Sequence, residues 1–136
     1  MTPSPDDSLP EGSPPAPLSV FVVEDEALVA LNLEDMLTDL GCAIVGPAMR
    51  VERARAMIED GIRADVAILD VNVAGEQVFP IAQMLAERGV PIVFATGYDR
   101  DGLPSIWHER TILQKPYTLD DVSRSIASAT GRVVTT

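Results

Sequence analysis

The sequence predicts an α/β fold, a doubly wound five-stranded parallel sheet with helices on both faces. Two observations support this prediction. Short apolar runs alternate along the chain with segments of helical periodicity, an order typical of strands joined by helical crossovers. The apolar runs are nearly continuous rather than alternating, as expected for strands buried on both faces. The most economical strand order for such a chain is 2-1-3-4-5, the flavodoxin-like order.

Five apolar runs give the predicted strands. The first is rich in β-branched residues and too short for a helix, and the third ends in an acid. Pro47 is expected to end the second strand, because proline cannot donate a ladder hydrogen bond. The predicted strands are residues 18–23, 42–46, 66–70, 90–96 and 111–114.

Four helices are predicted from the remaining periodic segments, at residues 27–40, 51–60, 77–88 and 118–130. Pro80 is compatible with the third helix because it lies near the first turn, and Thr118 is expected to cap the last. Residues 97–110 begin as a loop and leave room for one or two helical turns. The helix between the last two strands is therefore expected to be short or missing.

Composition limits the class of protein. A chain of 136 residues that is 46% hydrophobic suits one domain. Its formal net charge of −11 argues against binding to nucleic acid or to an anionic membrane surface. No apolar run reaches the roughly 18 residues of a membrane span, a secretory signal is not recognised, and one cysteine cannot form an internal disulfide. We expect a cytoplasmic protein that is monomeric.

The domain is expected to occupy residues 18–131, followed by a short tail at 132–136. Residues 1–17 hold 6 of the 11 prolines and little to bury, so we predict a disordered tail there. The alternative interpretation, a proline-rich ligand of another protein, lacks the flanking basic residue that such ligands carry.

Acidic and other polar side chains follow the carboxyl ends of neighbouring predicted strands. They are Glu24, Asp25 and Glu26 after the first strand, Asp70 and Thr96 at the ends of the third and fourth, and Lys115 after the fifth. Two carboxylates about 4 Å apart repel by about 4 kcal/mol at an effective dielectric of about 20, so the cluster needs a proton or a hard cation such as Mg²⁺. Asp70 is then a candidate nucleophile for phosphoryl transfer, Lys115, the only lysine, a fixed point charge, and Thr96 a hydroxyl partner.

Four motifs resemble those of the receiver domain of two-component response regulators. They are the acids after the first strand, LDVNV around Asp70, FATG at 94–97 and LQKPY at 113–117. The resemblance covers residues 18–131. The stretch VFATGY at 93–98 is also similar to the FAT GUY subfamily of single-domain receivers, which is found mainly among alphaproteobacteria.

The resemblance implies a phosphoacceptor and a metal site. Asp70 is expected to take a phosphoryl group from a phosphohistidine of a sensor histidine kinase or phosphotransfer protein. Asp25 and Asp70 are expected to bind Mg²⁺ directly, Asn72 through its backbone carbonyl, and Glu24 through water. The peptide bond before Pro116 is expected to be cis.

The resemblance also implies a switch. Lys115 is expected to pair with Asp70 and then with a phosphate oxygen, while Thr96 turns to hydrogen-bond the phosphoryl group and moves the following loop. Receivers usually have Phe or Tyr three residues before the lysine as a switch aromatic, but this chain has Ile112 there. Tyr98 is a candidate replacement, with a merely packed tyrosine as the alternative.

The expected function is that of a single-domain response regulator rather than an enzyme, limited to self-catalysed phosphoryl transfer and slow autodephosphorylation. With no DNA-binding segment in the sequence, output is expected through protein–protein contacts of residues 97–110, and stress signalling is one role that the subfamily suggests. The alternatives are a phosphate sink in a relay and a phosphorylation-independent binding module. A small Mg²⁺ hydrolase is disfavoured, because Asn72 stands where aspartate-nucleophile phosphatases use a second aspartate.

Overall fold

The predicted parallel sheet is present with the expected strand order. The computed structural model describes residues 17–97 and 102–134. The strands of this part of the chain are β1 (Ser19–Val23), β2 (Ala43–Ala48), β3 (Val66–Asp70), β4 (Asn72–Val73), β5 (Glu76–Gln77), β6 (Ile92–Thr96) and β7 (Thr111–Gln114). The five long strands form a parallel sheet in the order β2-β1-β3-β6-β7, and β4 pairs with β5 in a small antiparallel hairpin. Counted without that hairpin, the order is the predicted 2-1-3-4-5.

Two helices cover each face of the sheet. The helices of the described residues are α1 (Ala27–Asp39), α2 (Val51–Glu59), α3 (Phe79–Glu87) and α4 (Leu119–Thr130). Buried side chains of α2 and α3 belong to one apolar cluster, and those of α1 and α4 belong to another. Of the helices described, none has the length and apolar character needed to cross a membrane.

Both faces of the three central strands, β1, β3 and β6, are buried, as the continuous apolar runs predict. In β1, Phe21 and Val23 point to the cluster under α2 and α3, whereas Val20 and Val22 point to the cluster under α1 and α4. Successive side chains of a strand alternate between the two faces, so each residue of such a strand contributes to one of the two cores. This arrangement explains why the strands lack alternating polarity.

The expectation that Pro47 ends the second strand is wrong. β2 continues through Pro47 to Ala48, whose carbonyl accepts a 3.0 Å hydrogen bond from the N–H of Glu24. Proline is tolerated because β2 lies at the edge of the sheet, where one side of the strand has no partner strand. The register between β1 and β2 shifts at this point. Gly46 has φ +98°, and a Cβ added to it would lie only 2.8 Å from the backbone nitrogen of Ala48, so the position favours glycine.

The third helix starts later than predicted because a hairpin precedes it. Residues 76–77, expected at the end of the loop and the start of the helix, instead pair with residues 72–73. Ala74 and Gly75 both have positive φ, 50° and 84°, the geometry of a tight two-residue hairpin turn. Pro80 lies in the first turn of α3, as expected. The fourth long strand also starts two residues later than predicted, at Ile92.

The segment between β6 and β7 contains only a short helix in its described part. A 3-10 helix spans Ser105–Trp107, which agrees with the expectation of a short or missing helix. Nε2 of His108 lies 2.6 Å from the carbonyl oxygen of Leu103 and closes this segment on itself. Tyr98, the candidate switch aromatic, lies outside the described residues.

We expect Thr118→Ala to lower the free energy of unfolding by on the order of 1 kcal/mol. The Thr118 hydroxyl accepts from the N–H of Asp121 at 3.1 Å, while the Asp121 carboxylate accepts from the N–H of Thr118 at 2.9 Å. This capping box satisfies two N–H groups at the start of α4. Urea denaturation measures the change, with Thr118→Ser as the control that keeps the hydroxyl. Equal losses in the two variants would contradict this account.

Candidate active site at the carboxyl edge of the sheet

Three carboxylates meet where β1 and β3 end. β1 and β3 are neighbours, with Val23 opposite Leu69, so the residues that follow them share one edge of the sheet. Carboxylate oxygens of Glu24, Asp25 and Asp70 lie within 4.8 Å of one another. Glu24 is buried, with 3% of its surface exposed. The structure thus brings together three of the four acids that the sequence places after neighbouring strands. The fourth, Glu26, is exposed at the start of α1 and is not part of this cluster.

Lys115 supplies a positive charge to this cluster. Its Nζ lies 2.9 Å from Oε1 of Glu24 and 3.3 Å from Oδ2 of Asp70. The N–H of Lys115 donates to the carbonyl of Thr96 at 2.9 Å, and the following Lys115–Pro116 peptide bond is cis. The lysine therefore contacts two carboxylates, and the shorter contact is to Glu24, whereas sequence reasoning names only Asp70 as its partner.

Burial is the largest single effect on the pKa of both Glu24 and Lys115, but it decides the net direction only for Glu24. Burial raises the pKa of Glu24 to about 7, against the opposing effect of the hydrogen bond from Lys115. Burial also disfavours the charged form of Lys115, but the hydrogen bond to Glu24 and the charges of Asp70 and Glu24 outweigh it and raise the lysine pKa. A proton therefore binds in this cluster more readily than at an ordinary glutamate.

The hairpin β4–β5 fixes the third acid. The N–H of Ala74, in the hairpin turn, donates to Oδ2 of Asp25 at 2.8 Å. Burial of Asp25 acts to raise its pKa, but this backbone hydrogen bond is among the effects that outweigh it, and the net pKa is lowered. Sequence analysis does not identify Ala74 as a hydrogen-bond partner of Asp25. The local sequence indicates only a turn, through the glycine of the Ala-Gly pair at 74–75. Asn72 lies at the first position of the hairpin, paired with Gln77.

Thr96 lies beside the acids, at the end of the neighbouring strand. Asp70 is paired with Ala95 across β3 and β6, and Thr96 follows Ala95 directly. Its side chain is buried. Ile112, in β7, is partly buried and packs against the apolar cluster under α2 and α3. The structure thus places Thr96 at the same edge as Asp70.

This donor set fits a small hard cation. Carboxylate oxygens together with backbone carbonyls and water are the ligands that Mg²⁺ prefers, and Mg²⁺ uses few protein ligands. Three acids against one lysine leave negative charge in excess, so a divalent cation is more favourable here than further anions. The residues that could hold the cation are Glu24, Asp25 and Asp70.

Solved structures similar to this chain include a close relative in sequence. SdrG of Sphingomonas melonis Fr1 is 44% identical, with a TM-score of 0.75 and a match covering 85% of this chain and 98% of that one. The BeF3-activated conformation of SdrG from Pseudomonas melonis Fr1 has a TM-score of 0.70 at 44% identity, covering 81% and 93%. The REC domain of the response regulator PhyR from Erythrobacter litoralis is 24% identical, with a TM-score of 0.74 and coverage of 87% and 93%, a likeness of fold alone.

Curated relatives are longer proteins. The transcriptional regulatory protein PdtaR of Mycobacterium tuberculosis is 29% identical over 120 residues, which are 85% of this chain and 58% of PdtaR. The phyllosphere-induced regulator PhyR of Methylorubrum extorquens is 26% identical over 113 residues, 81% of this chain and 42% of PhyR. The chain thus spans about half the length of the curated relatives it matches. No protein-family model matches it. Its fold, and its 44% identity to SdrG over nearly all of that chain, nevertheless show that this chain belongs to the response regulator receiver domains.

Proposed function

We propose that this receiver domain is the phosphoacceptor of a two-component phosphorelay and that Asp70 is the residue phosphorylated. The observation that carries the proposal is the placement of Lys115 Nζ within 3.3 Å of Asp70 and 2.9 Å of Glu24, next to a carboxylate cluster. A carboxylate nucleophile needs a metal and a fixed positive charge for phosphoryl transfer, because both stabilise the negative charge on the phosphoryl oxygens. The edge of the sheet offers a position for both.

Mg²⁺ is the cofactor we propose. Asp25 and Asp70 hold it directly, Glu24 through water, and Asn72 through its backbone carbonyl. When bound, the cation neutralises the carboxylates and the phosphoryl oxygens, which lowers the barrier to nucleophilic attack. The hydrogen bond from Ala74 fixes one oxygen of Asp25, so the other oxygen is oriented before the cation arrives.

In the proposed transfer, a carboxylate oxygen of Asp70 attacks the phosphorus of a phosphohistidine. An O–P bond forms on Asp70 as the P–N bond breaks, and the imidazole leaves with the electron pair of that bond. The ammonium of Lys115 stabilises the charge on the phosphoryl oxygens. The chain performs this transfer on itself and later loses the phosphoryl group slowly to water, so we do not class it as a turnover enzyme.

Phosphorylation is proposed to switch protein–protein contacts. It adds about −1.5 to −2 charges and strong acceptor oxygens within reach of a hydroxyl and an ammonium. Thr96 donates to the phosphoryl group and biases residues 97–110, the surface seen by a downstream protein. We propose that this switch follows the FAT GUY mode of receivers, with Tyr98 as the aromatic that follows Thr96. A phosphate sink within the relay uses the same chemistry without this last step.

The donor is proposed to be a sensor histidine kinase or phosphotransfer protein that approaches over α1. Leu28 is 82% exposed and Leu31 is 54% exposed, both on the first turns of that helix. Leu28 also borders a groove of about 510 Å³ that Lys115 and Tyr117 line. A partner whose apolar side chains pack on Leu28 and Leu31 also reaches the edge of the site. We propose that the transfer takes place in the cytoplasm.

We expect beryllofluoride, which stands in for the phosphoryl group, to bind at Asp70 in the presence of Mg²⁺. Amide NMR of the chain should show shifts around Asp70, Thr96 and residues 102–110. The shifts should be absent in Asp70→Asn and retained in Asp60→Asn, an exposed acid outside the cluster. No response in the unmodified chain would contradict the phosphoacceptor and favour a phosphorylation-independent binding module.

We expect Thr96→Ala to bind beryllofluoride at Asp70 but to lose the shifts of residues 102–110. The hydroxyl of Thr96 is the group proposed to pull this segment toward the phosphoryl group. Thr96→Ser keeps that hydroxyl and should keep the shifts. The same amide spectra measure both variants, and full shifts in Thr96→Ala would remove Thr96 from the switch.

In the metal-free protein, stability should fall as pH rises from about 4.5 to about 7. Burial raises the pKa of Glu24 from 4.5 to about 7, so the folded state binds more protons than the unfolded state over this range. The free energy of unfolding should decrease by on the order of 2 kcal/mol relative to Glu24→Gln, which cannot titrate. Urea denaturation in EDTA measures the difference, and Mg²⁺ should reduce it. Parallel pH profiles of the two proteins would show that Glu24 ionises normally.

A further inference from the structure

Trp107 lies at the centre of an aromatic cluster. Its ring is 5% exposed, stacks on Phe79 with ring centroids 6.5 Å apart, and meets Phe94 edge-on at 5.6 Å. Phe79 and Phe94 also contact each other, with centroids 5.9 Å apart. We call these three residues the ring cluster. Aromatic pairs at these separations attract one another in specific orientations, so the position of each ring depends on the other two.

One side of the ring cluster leads to Asp70. Phe79 is the first residue of α3 and follows Val78 directly. The N–H of Val78 donates to the carbonyl of Val71 at 2.9 Å, and Val71 is the residue after Asp70. Val71 and Val78 are both buried. The backbone at Asp70 is therefore linked to Phe79 through two peptide bonds, Asp70–Val71 and Val78–Phe79, and the hydrogen bond between them.

The other side of the ring cluster leads to Thr96. Phe94 lies two residues before Thr96 on β6 and is opposite Ile112 on β7. Ile112 stands where the resemblance expects a switch aromatic, and an isoleucine provides no ring. Trp107 brings a large ring into the same buried cluster, from the segment that precedes β7.

Backbone hydrogen bonds and a cation–π contact connect Trp107 to the residues on either side of it. The N–H of Trp107 donates to the carbonyl of Pro104 at 2.9 Å, and its carbonyl accepts from the N–H of Arg110 at 3.0 Å. The guanidinium of Arg110 lies 5.7 Å from the centre of the Trp107 ring. Ile106, the preceding residue, is 73% exposed. The buried ring is therefore joined directly to an exposed apolar residue at the surface.

We propose that Trp107 is a positioning residue of the switch, whose ring transmits a change at Asp70 and Thr96 to the surface of residues 102–110. This proposal rests on the proposed function, because the change at Asp70 is its phosphorylation. Packed cores have discrete arrangements rather than continuous ones, so a small change at either side of the ring cluster selects between two positions of the ring.

The test uses the single tryptophan of the sequence as its own reporter. The chain is labelled with 5-fluorotryptophan, and fluorine NMR follows both Trp107 and the beryllofluoride bound at Asp70. We expect the Trp107 resonance to move when beryllofluoride and Mg²⁺ are added. In Phe79→Leu the bound beryllofluoride should remain, while the movement of the Trp107 resonance is largely lost.

Two further variants separate transmission from simple packing. Phe21→Leu makes the same change in the same apolar cluster, at a residue with no ring contact to Trp107 in the described part of the chain, and should keep the full movement. Trp107→Phe should retain the amide shifts of residues 102–110, and Trp107→Leu should lose them.

The outcomes are distinct. Bound beryllofluoride with an unmoved Trp107 resonance overturns the role of Trp107 and leaves the phosphoacceptor intact. An equal loss of movement in Phe21→Leu also overturns it, since packing alone then explains the effect. Failure of beryllofluoride to bind overturns the phosphoacceptor, and the role of Trp107 with it.

Discussion

The close approach of three carboxylates is the constraint on which the rest of the structure depends. Glu24, Asp25 and Asp70 place their oxygens within 4.8 Å of one another, and one of the three is buried. Such a cluster is unfavourable without compensation. Lys115 provides part of it, by contacts of 2.9 Å and 3.3 Å with two of the acids. The N–H of Ala74 provides another part by holding Asp25.

The parallel sheet is what makes this cluster possible. Strands that run in one direction end at the same edge, so residues far apart in sequence arrive together. Lys115 is 91 residues from Glu24 along the chain, yet it reaches that carboxylate because β7 and β6 are adjacent and its N–H bonds to Thr96. The buried aliphatic residues of the strands that end at this edge fix the positions of its polar side chains. The favourable free energy of burying the core therefore offsets the repulsion between carboxylates that would be unstable without it.

The sheet and the acids could be predicted from sequence because both depend on local pattern. Continuous apolar runs identify β1 and β3, and the carboxyl ends of parallel strands bring Asp70 and Lys115 to one edge. The hairpin at 72–77 could not be predicted, because its strands have only two residues each and no apolar pattern. The role of Glu24 as the nearer partner of Lys115 depends on side-chain packing in three dimensions. The burial of Trp107 likewise depends on rings from α3 and β6, which no local pattern relates to it.

Pro47 has a consequence for how the chain behaves beside copies of itself. β2 is an edge strand, and exposed edges invite a second chain to extend the sheet. The nitrogen of Pro47 has no hydrogen to donate, and the carbonyl of the next residue, Ala48, is already bonded to Glu24. A chain lined up along this edge meets an interrupted ladder at its carboxyl end. The proline that sequence analysis predicts as the end of a strand therefore disfavours edge-to-edge pairing with another copy of the chain.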